Sequence, residues 1–280
     1  MTTTPMTASR TFPVLANGVT LAVTEYQPAT EGAPAVVLVH GIGSRGVSWY
    51  PIIDDLAAHF RVVSFDLRGH GDSSKPDGGY LLPDYAADLA GLVDALEIER
   101  PRSIGHSLGG LTTLRWAADH PSRAATLVLE DTALSGGPSL RPVFDGWLAL
   151  SRMTVDHAAA WYASEYPGWT PEDCLRRAQS ITSVHPRVFE ELRDESTSPD
   201  RPPRLAGVER ITSPMLLVHG DVAVGSMVQP EDARRLRELV PSLRLTRVPG
   251  AGHNVHRDAR GAFLEAAVPF LKHSESGGTP

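Results

Sequence analysis

The feature that most constrains this chain is Gly105-His106-Ser107-Leu108-Gly109-Gly110, in which a glycine stands two residues on either side of a serine. The run 101–104 before it can end a strand, and the segment 111–118 after it has the pattern of a helix. Glycines at these positions let the backbone turn sharply from strand to helix, which strains the serine and pushes its hydroxyl into a cleft. The start of the helix points free N–H groups at that cleft. The sequence therefore predicts a reactive Ser107 at a strand–turn–helix junction.

Apolar, β-branched runs alternate with helical patterns on both sides of this junction, and Asn17-Gly18 near the start predicts a hairpin. Such alternation implies parallel strands joined by crossover helices, so we expect an α/β fold with a mostly parallel central sheet flanked by helices. Ligands of such sheets bind beyond the carboxyl ends of the strands, where His40, Ser107 and Asp131 are expected. Buried strands are predicted at Ala35–Val39, Arg61–Phe65, Ala124–Leu129 and Met215–His219, and helices at Trp49–Phe60, Leu82–Leu96, Pro230–Leu239 and Arg260–Lys272.

The strand signals vanish between residues 133 and 213, where short helical runs carry Trp147, Trp161 and Trp169 among prolines. We interpret this segment as a helical cap inserted into a core domain that comprises residues 1–132 and 214–280. Each tryptophan alone is typical of packing within a cap, but together they would suit an apolar substrate pocket. His40 is a further pocket candidate, although we prefer a structural role for it in its loop.

Composition excludes several classes of function. The net charge of −7 argues against nucleic-acid binding, which needs a basic face. The single cysteine, Cys174, leaves no disulfide framework and no zinc cluster. Residues 1–10 lack the apolar core of a signal peptide, and no apolar run approaches the roughly eighteen residues of a membrane span. We therefore expect a cytoplasmic protein without membrane association, frayed over residues 1–10 and 274–280.

A serine hydroxyl is a poor nucleophile near neutral pH, so it needs a base within hydrogen-bond reach and a group that orients the base. His253 is the best candidate base, because its glycine-rich loop (249–254) lies between the last predicted strand and the last helix. That loop can bring an imidazole over the carboxyl edge of the sheet. His256 is expected at the start of the following helix, where we expect its replacement to have little effect.

Four motifs occur together in one order: His40-Gly41, Asp66-Leu67-Arg68-Gly69-His70-Gly71, the segment 105–110 and Gly252-His253. On these motifs the chain resembles the α/β-hydrolase fold enzymes over nearly its whole length. The resemblance implies a serine hydrolase of the esterase or lactonase kind with a helical cap, in which Ser107 is the nucleophile and His253 the base. It also implies an oxyanion hole formed by the backbone N–H groups of Ile42 and Leu108.

The third catalytic residue departs from the pattern that this resemblance implies. Family members usually place an acid three residues beyond the glycine that follows the strand after the cap. Here that glycine is Gly220 and the position is Ala223, which cannot orient a histidine. Either Asp221 takes the role, or the acid lies after the strand that follows the nucleophile helix, at Glu130-Asp131, as in certain dehalogenases and lactone hydrolases of this fold. We prefer Asp131, then Asp221, then Glu130.

The identity of the nucleophile limits the possible reaction classes. Enzymes of this fold that displace halide or open epoxides use aspartate where this chain has Ser107, which argues against both reactions. We expect hydrolysis of a small-molecule ester or lactone with an apolar part, through an acyl-enzyme and without metal or cofactor. One alternative is C–C bond hydrolysis of a diketone by the same residues, for which Arg152, Arg176 and Arg177 would offer contacts to a substrate carboxylate. The others are a non-catalytic small-molecule receptor and a cofactor-free oxygenase.

Overall fold

An eight-stranded sheet lies at the centre of residues 8–272, the part of the chain that this computed structural model describes. The strand order is β1-β2-β4-β3-β5-β6-β7-β8, and only the pairs β1–β2 and β2–β4 are antiparallel. The strands are β1 (Ser9–Ala16), β2 (Val19–Tyr26), β3 (Ala35–Val39), β4 (Arg61–Phe65), β5 (Arg102–His106), β6 (Thr126–Glu130), β7 (Met215–His219) and β8 (Arg244–Arg247). The predicted mostly parallel α/β sheet is confirmed.

Helices cover both faces of the sheet, because alternate residues of one strand point to opposite sides. In β3, Val36 and Leu38 pack in one apolar cluster, whereas Val37 and Val39 pack in another. The helices are α1 (Ile53–Ala57), α2 (Leu82–Ala95), α3 (Leu108–Asp119), α4 (Arg141–Ser151), α5 (Val155–Glu165), α6 (Pro171–Thr182), α7 (Pro186–Thr197), α8 (Pro230–Leu239), α9 (Val255–Asp258) and α10 (Arg260–Lys272). None of the helices within residues 8–272 has the length and apolar character needed to cross a membrane.

Most predicted elements are found close to their predicted bounds, and two differences have a local cause. The helix predicted over 49–60 is only α1, preceded by a 3-10 turn at Gly46–Trp49, because Pro51 has no N–H for a continuous helix. The hairpin turn at Asn17-Gly18 is confirmed, with φ values of 47° and 77°. The expected fraying over 1–10 is wrong for Ser9 and Arg10, which lie in β1, whereas 1–7 and 274–280 are outside the described residues.

Helices α4 to α7 fill the segment between β6 and β7 that the sequence analysis interprets as a cap. Helix α5 packs on α6, and α4 packs on α7. Tyr162, Ile181 and Phe189 of these helices are buried in the same apolar cluster as one face of the sheet. These four helices are therefore packed onto the core and do not enclose a separate core of their own.

The start of α3 passes very close to β3, and glycine makes this approach possible. A Cβ atom on Gly109 would lie 1.9 Å from the carbonyl oxygen of Val39, and one on Gly105 would lie 2.5 Å from the carbonyl oxygen of Gly109. Neither glycine has a positive φ. These two glycines are therefore required for close packing of backbone on backbone.

We expect Gly109→Ala to lower the free energy of unfolding by about 3 kcal/mol, because the new methyl group would collide with the backbone of β3. Gly146→Ala is the matched control within α4, since a Cβ there meets no atom within 4 Å. The control should raise stability by about 0.5–1 kcal/mol through helix propensity alone. Urea unfolding curves measure both; equal effects of the two substitutions would contradict the packing argument.

Candidate active site

Ser107 occupies the turn between β5 and α3 in a strained backbone conformation, with φ 53° and ψ −115°. For a residue other than glycine such a conformation costs on the order of 1–3 kcal/mol, which the surrounding structure must offset. The N–H of Ser107 donates to the carbonyl oxygen of Glu130 at 3.0 Å, which ties the turn to the neighbouring strand. The strain thus falls on the serine itself, and its side chain borders two cavities.

His253 lies in the loop before α9 and faces the same two cavities as Ser107. Its Nδ1 is 2.6 Å from Oδ2 of Asp131. That contact makes Nδ1 the protonated nitrogen, which leaves Nε2 free to accept a proton. No hydrogen bond joins Ser107 to His253 within the described residues, so the structure brings the two side chains to one cavity wall without a direct bond.

Asp131 follows β6 with φ 39° and is fully buried. Oδ2 accepts from the N–H of Met227 at 2.8 Å, and Oδ1 accepts from the Ser226 hydroxyl at 2.5 Å and the N–H of Gly220 at 3.3 Å. Burial by itself would raise the pKa of Asp131, but the His253 contact and these donors hold the pKa below its ordinary value. The loop after β7, where family members usually carry the acid, here supplies donors to Asp131.

The other two candidate acids lie against different partners. Asp221 pairs with Arg247 and accepts from the N–H of Gly250 at 2.8 Å, and within residues 8–272 no hydrogen bond joins it to His253. Glu130 is fully buried and accepts from Nδ1 and from the backbone N–H of His256, both at 2.8 Å. Of the three predicted candidates, the structure brings only Asp131 to His253.

His256 lies close to the predicted helix start, as the second residue of α9, and its side chain is buried against Glu130. Replacing His256 would remove the imidazole donor of the buried Glu130 carboxylate, so from the structure we expect this substitution to lower stability. Burial would raise the pKa of Glu130, yet its contacts with His256 hold that pKa below its ordinary value. Glu130 and His256 therefore form a second acid–histidine pair beside the first.

Sequence reasoning missed two residues that hold this arrangement. His106 donates from Nε2 to the carbonyl oxygen of His253 at 2.9 Å, and burial lowers its pKa to about 3, so the ring is neutral. It thus connects the strand before Ser107 with the His253 loop. Ser226 bonds to Asp131, as described above. His106 lies within the glycine motif, directly before Ser107, and this position is a signal in the sequence. No local pattern marks Ser226.

Ile42 and Leu108, the residues predicted to form an oxyanion hole, border one cavity together with Ser107. Ile42 follows β3 in a loop, and Leu108 is the first residue of α3, so its N–H has no acceptor within the helix. The cavity that they share with Ser107 is the larger of the two. Within residues 8–272, neither N–H donates to another group of the chain. The two donors are therefore available beside the serine.

His40 both supports its loop and borders the smaller cavity. Its Nε2 accepts from the N–H of Leu67 at 3.0 Å, and its Nδ1 donates to the carbonyl oxygen of Gly41 at 2.8 Å. His70 makes the equivalent connection in the opposite direction, since its Nε2 accepts from the N–H of Gly43 at 3.2 Å. The loops after β3 and β4 are thus tied together by two neutral imidazoles.

Two cavities meet at Ser107 and His253. The larger, of about 300 Å³, has mainly apolar walls that include Leu111, Phe144 and Leu192. The smaller, of about 150 Å³, is aromatic and polar. All four predicted pocket residues contribute: Trp147 borders both cavities, whereas His40, Trp161 and Trp169 border the smaller one.

The buried histidines make stability depend on pH. Burial lowers the pKa of His70 from 6.5 to about 3, so the unfolded chain takes up this proton first as the pH falls. The stabilisation is complete above pH 6.5 and is lost progressively towards pH 3. We expect His70→Gln, which keeps an acceptor for Gly43 but does not titrate, to reduce the stability loss between pH 7 and pH 5 by about 2 kcal/mol.

Urea unfolding of the wild type and His70→Gln at the two pH values measures this difference. The exposed His157 provides the matched control, as His157→Gln should lose as much stability as the wild type between the two pH values. An unchanged loss in His70→Gln would show that this imidazole is not held neutral by the fold.

Comparison with known proteins agrees with this geometry. A family model for the α/β-hydrolase fold matches residues 34–156. The chain is 29% identical over 247 residues to 2-(acetamidomethylene)succinate hydrolase of Mesorhizobium japonicum, an alignment that covers 85% of this chain and 88% of the relative. It is 28% identical over 281 residues to 2-hydroxy-6-oxo-2,4-heptadienoate hydrolase of Pseudomonas putida, covering 92% and 95%.

Solved structures show the same relationship in three dimensions. The crystal structure of the enol-lactonase from Burkholderia xenovorans LB400 superimposes with a TM-score of 0.78 at 25% identity, over 93% of this chain and 99% of that one. Sheet order, the turn at Ser107 and these relatives all agree. The chain therefore has the α/β-hydrolase fold, and the relatives that it matches over most of its length are hydrolases.

Proposed function

We propose that this hydrolase cleaves a small-molecule ester or lactone through an acyl-enzyme formed on Ser107, with His253 as the base and Asp131 as the orienting acid. The observation that carries the proposal is the 2.6 Å contact between His253 Nδ1 and the buried Asp131 carboxylate, beside a serine on the same cavity wall. Three groups of these types in this order are what acyl transfer needs.

The proposed reaction begins when Nε2 of His253 takes the hydroxyl proton of Ser107 as the oxygen attacks the substrate carbonyl. Asp131 keeps the Nδ1 proton in place and stabilises the imidazolium that forms. The N–H groups of Ile42 and Leu108 would stabilise the oxyanion, each contributing about 3 kcal/mol. The imidazolium then protonates the leaving group, and the same histidine activates the water that releases the acyl group.

An ester or lactone with an apolar part fits the larger cavity, whose walls are mainly apolar and include Leu111, Phe144 and Leu192. The structural relative named an enol-lactonase supports this substrate class. Serine attack on a carbonyl is common to esters, lactones and amides, so the apolar cavity and the enol-lactonase, rather than the triad, support this class.

C–C bond hydrolysis is the second candidate function, and one observation favours it. The relative named 2-hydroxy-6-oxo-2,4-heptadienoate hydrolase acts on a keto acid that contains neither an ester nor an amide bond. Of the three arginines that the sequence analysis considered for a substrate carboxylate, Arg177 borders the smaller cavity. Arg152 and Arg176 pair instead with Glu190 and Glu172 at the surface.

We expect stopped-flow mixing with 4-nitrophenyl butyrate to give a burst of 4-nitrophenolate in proportion to active sites in the wild type and none in Ser107→Ala, because only the serine can form the acyl-enzyme. Near-normal turnover by Ser107→Ala would contradict the mechanism and favour an oxygenase-like role for His253. No turnover by folded wild type would contradict the ester assignment and favour C–C hydrolysis or a receptor.

We expect Asp131→Asn to lower kcat by about 10³- to 10⁴-fold, because the amide no longer enforces the Nδ1-protonated tautomer of His253. Asp221→Asn is the matched control, since that carboxylate pairs with Arg247, and it should change kcat by less than about threefold. Steady-state kinetics of both variants decide the point, with near-UV circular dichroism to verify folding. The reverse ranking would assign the role to Asp221.

A further inference from the structure

The smaller cavity carries positive charge beside the proposed nucleophile. Arg177 and Arg257 border it together with Ser107 and His253, and none of the residues described along its wall is aspartate or glutamate. The other arginines of α4–α7 and the turns between them mostly lie at the surface in ion pairs with carboxylates: Arg152, Arg176, Arg187 and Arg193. The smaller cavity therefore carries two guanidinium groups and no carboxylate among the described residues of its wall.

Of these two arginines, Arg257 gives the stronger indication that the cavity binds an anion. Its Nε and Nη1 are buried and meet no acceptor among residues 8–272, and it forms no ion pair with any described carboxylate. The guanidinium carbon lies 4.4 Å from the centroid of the Trp169 ring, which holds the planar group against the cap. A cation removed from water normally keeps an anionic or carbonyl partner. Arg257 has stacking but no acceptor.

The acidic side chains close to Arg257 are engaged elsewhere or do not reach it. Asp173 borders an adjacent crevice that also touches Arg257, but its carboxylate accepts from the hydroxyls of Tyr50 at 2.5 Å and Thr170 at 2.6 Å. Asp258 follows Arg257 in the chain and forms no ion pair within the described residues. Among residues 8–272 no carboxylate therefore forms an ion pair with Arg257, although Asp173 and Asp258 lie near enough for its charge to act on their pKa values.

Arg177 of α6 adds a second positive charge to the wall of the smaller cavity. Its Nη1 donates to the carbonyl oxygen of Gly43, and its guanidinium lies over the Tyr162 ring at 5.6 Å from the centroid. Gly43 follows Ile42 in the loop after β3. Arg177 is thus anchored to the proposed oxyanion loop while its charge faces the cavity without a carboxylate partner among the described residues.

We propose that the smaller cavity binds a carboxylate of the substrate, with Arg257 as its principal contact and Arg177 as a supporting charge. The inference rests on the proposed function in that it places the scissile carbonyl at Ser107, between the two cavities. A guanidinium presents parallel N–H donors that match a carboxylate. The preferred substrate is then an ester with an apolar group for the larger cavity and a carboxylate a few bonds from the scissile carbonyl.

The test uses a pair of ligands that differ only in charge: mono-hexyl glutarate and its neutral amide, hexyl 4-carbamoylbutanoate. Calorimetric titration of the Ser107→Ala protein measures binding without hydrolysis. We expect the anionic ester to bind at least about tenfold more tightly than the amide. The same titration of Ser107→Ala/Arg257→Gln should reduce the preference to about twofold or less, because Gln cannot supply the charge.

Two further variants make the result specific. Arg152→Gln in the Ser107→Ala background removes an arginine that is 58% exposed and paired with Glu190, and it should keep the full preference. Arg257→Lys retains the charge but not the paired donors, so it should keep a smaller preference than the parent protein. It also tests the site if the Gln variant does not fold.

Equal binding of the two ligands by the Ser107→Ala protein would overturn the inference, as would a preference that survives Arg257→Gln. Both outcomes are independent of turnover. Failure of ester hydrolysis by the wild type would therefore affect the proposed function alone, whereas loss of the charge preference would affect only the carboxylate site.

Discussion

The buried Asp131 carboxylate at the end of β6 is the interaction on which the site depends. A carboxylate taken out of water is costly unless every oxygen has donors. Here the donors come from two separate loops: His253 lies before α9, whereas Gly220, Ser226 and Met227 lie in the loop after β7. One ionised group therefore fixes the positions of two loops relative to the sheet edge.

The adjacent residue extends this arrangement. Glu130 and Asp131 are consecutive, and consecutive residues at a strand end point in different directions. Glu130 is bound to His256 and Asp131 to His253, while the neutral His106 connects its strand to the His253 backbone. The second acid–histidine pair is buried and anchors the short helix α9. That helix in turn carries Arg257 to the wall of the smaller cavity.

The two cavities that meet at Ser107 differ in the character of their walls. Helices α4 and α7 supply apolar walls on one side of Ser107, whereas α5 and α6 supply aromatic rings and Arg177 on the other. A carbonyl at the serine would have unlike surroundings on its two sides. These walls come from the segment between β6 and β7, whereas the proposed catalytic residues lie at the edge of the sheet. Substitutions in that segment would therefore change substrate preference without changing the catalytic residues.

The sequence by itself determined the sheet, the turn at Ser107 and the set of candidate acids, because these follow from local patterns: β-branched runs, helical periodicity and closely spaced glycines. It left the acid open between Asp131, Asp221 and Glu130, since each follows a strand of the same sheet. Only the tertiary structure decided which carboxylate meets His253, because that contact joins residues 122 positions apart. For the same reason the sequence alone did not indicate that Ser226 contacts Asp131 or that Arg257 stacks on Trp169, because no local pattern shows which distant side chains will be in contact.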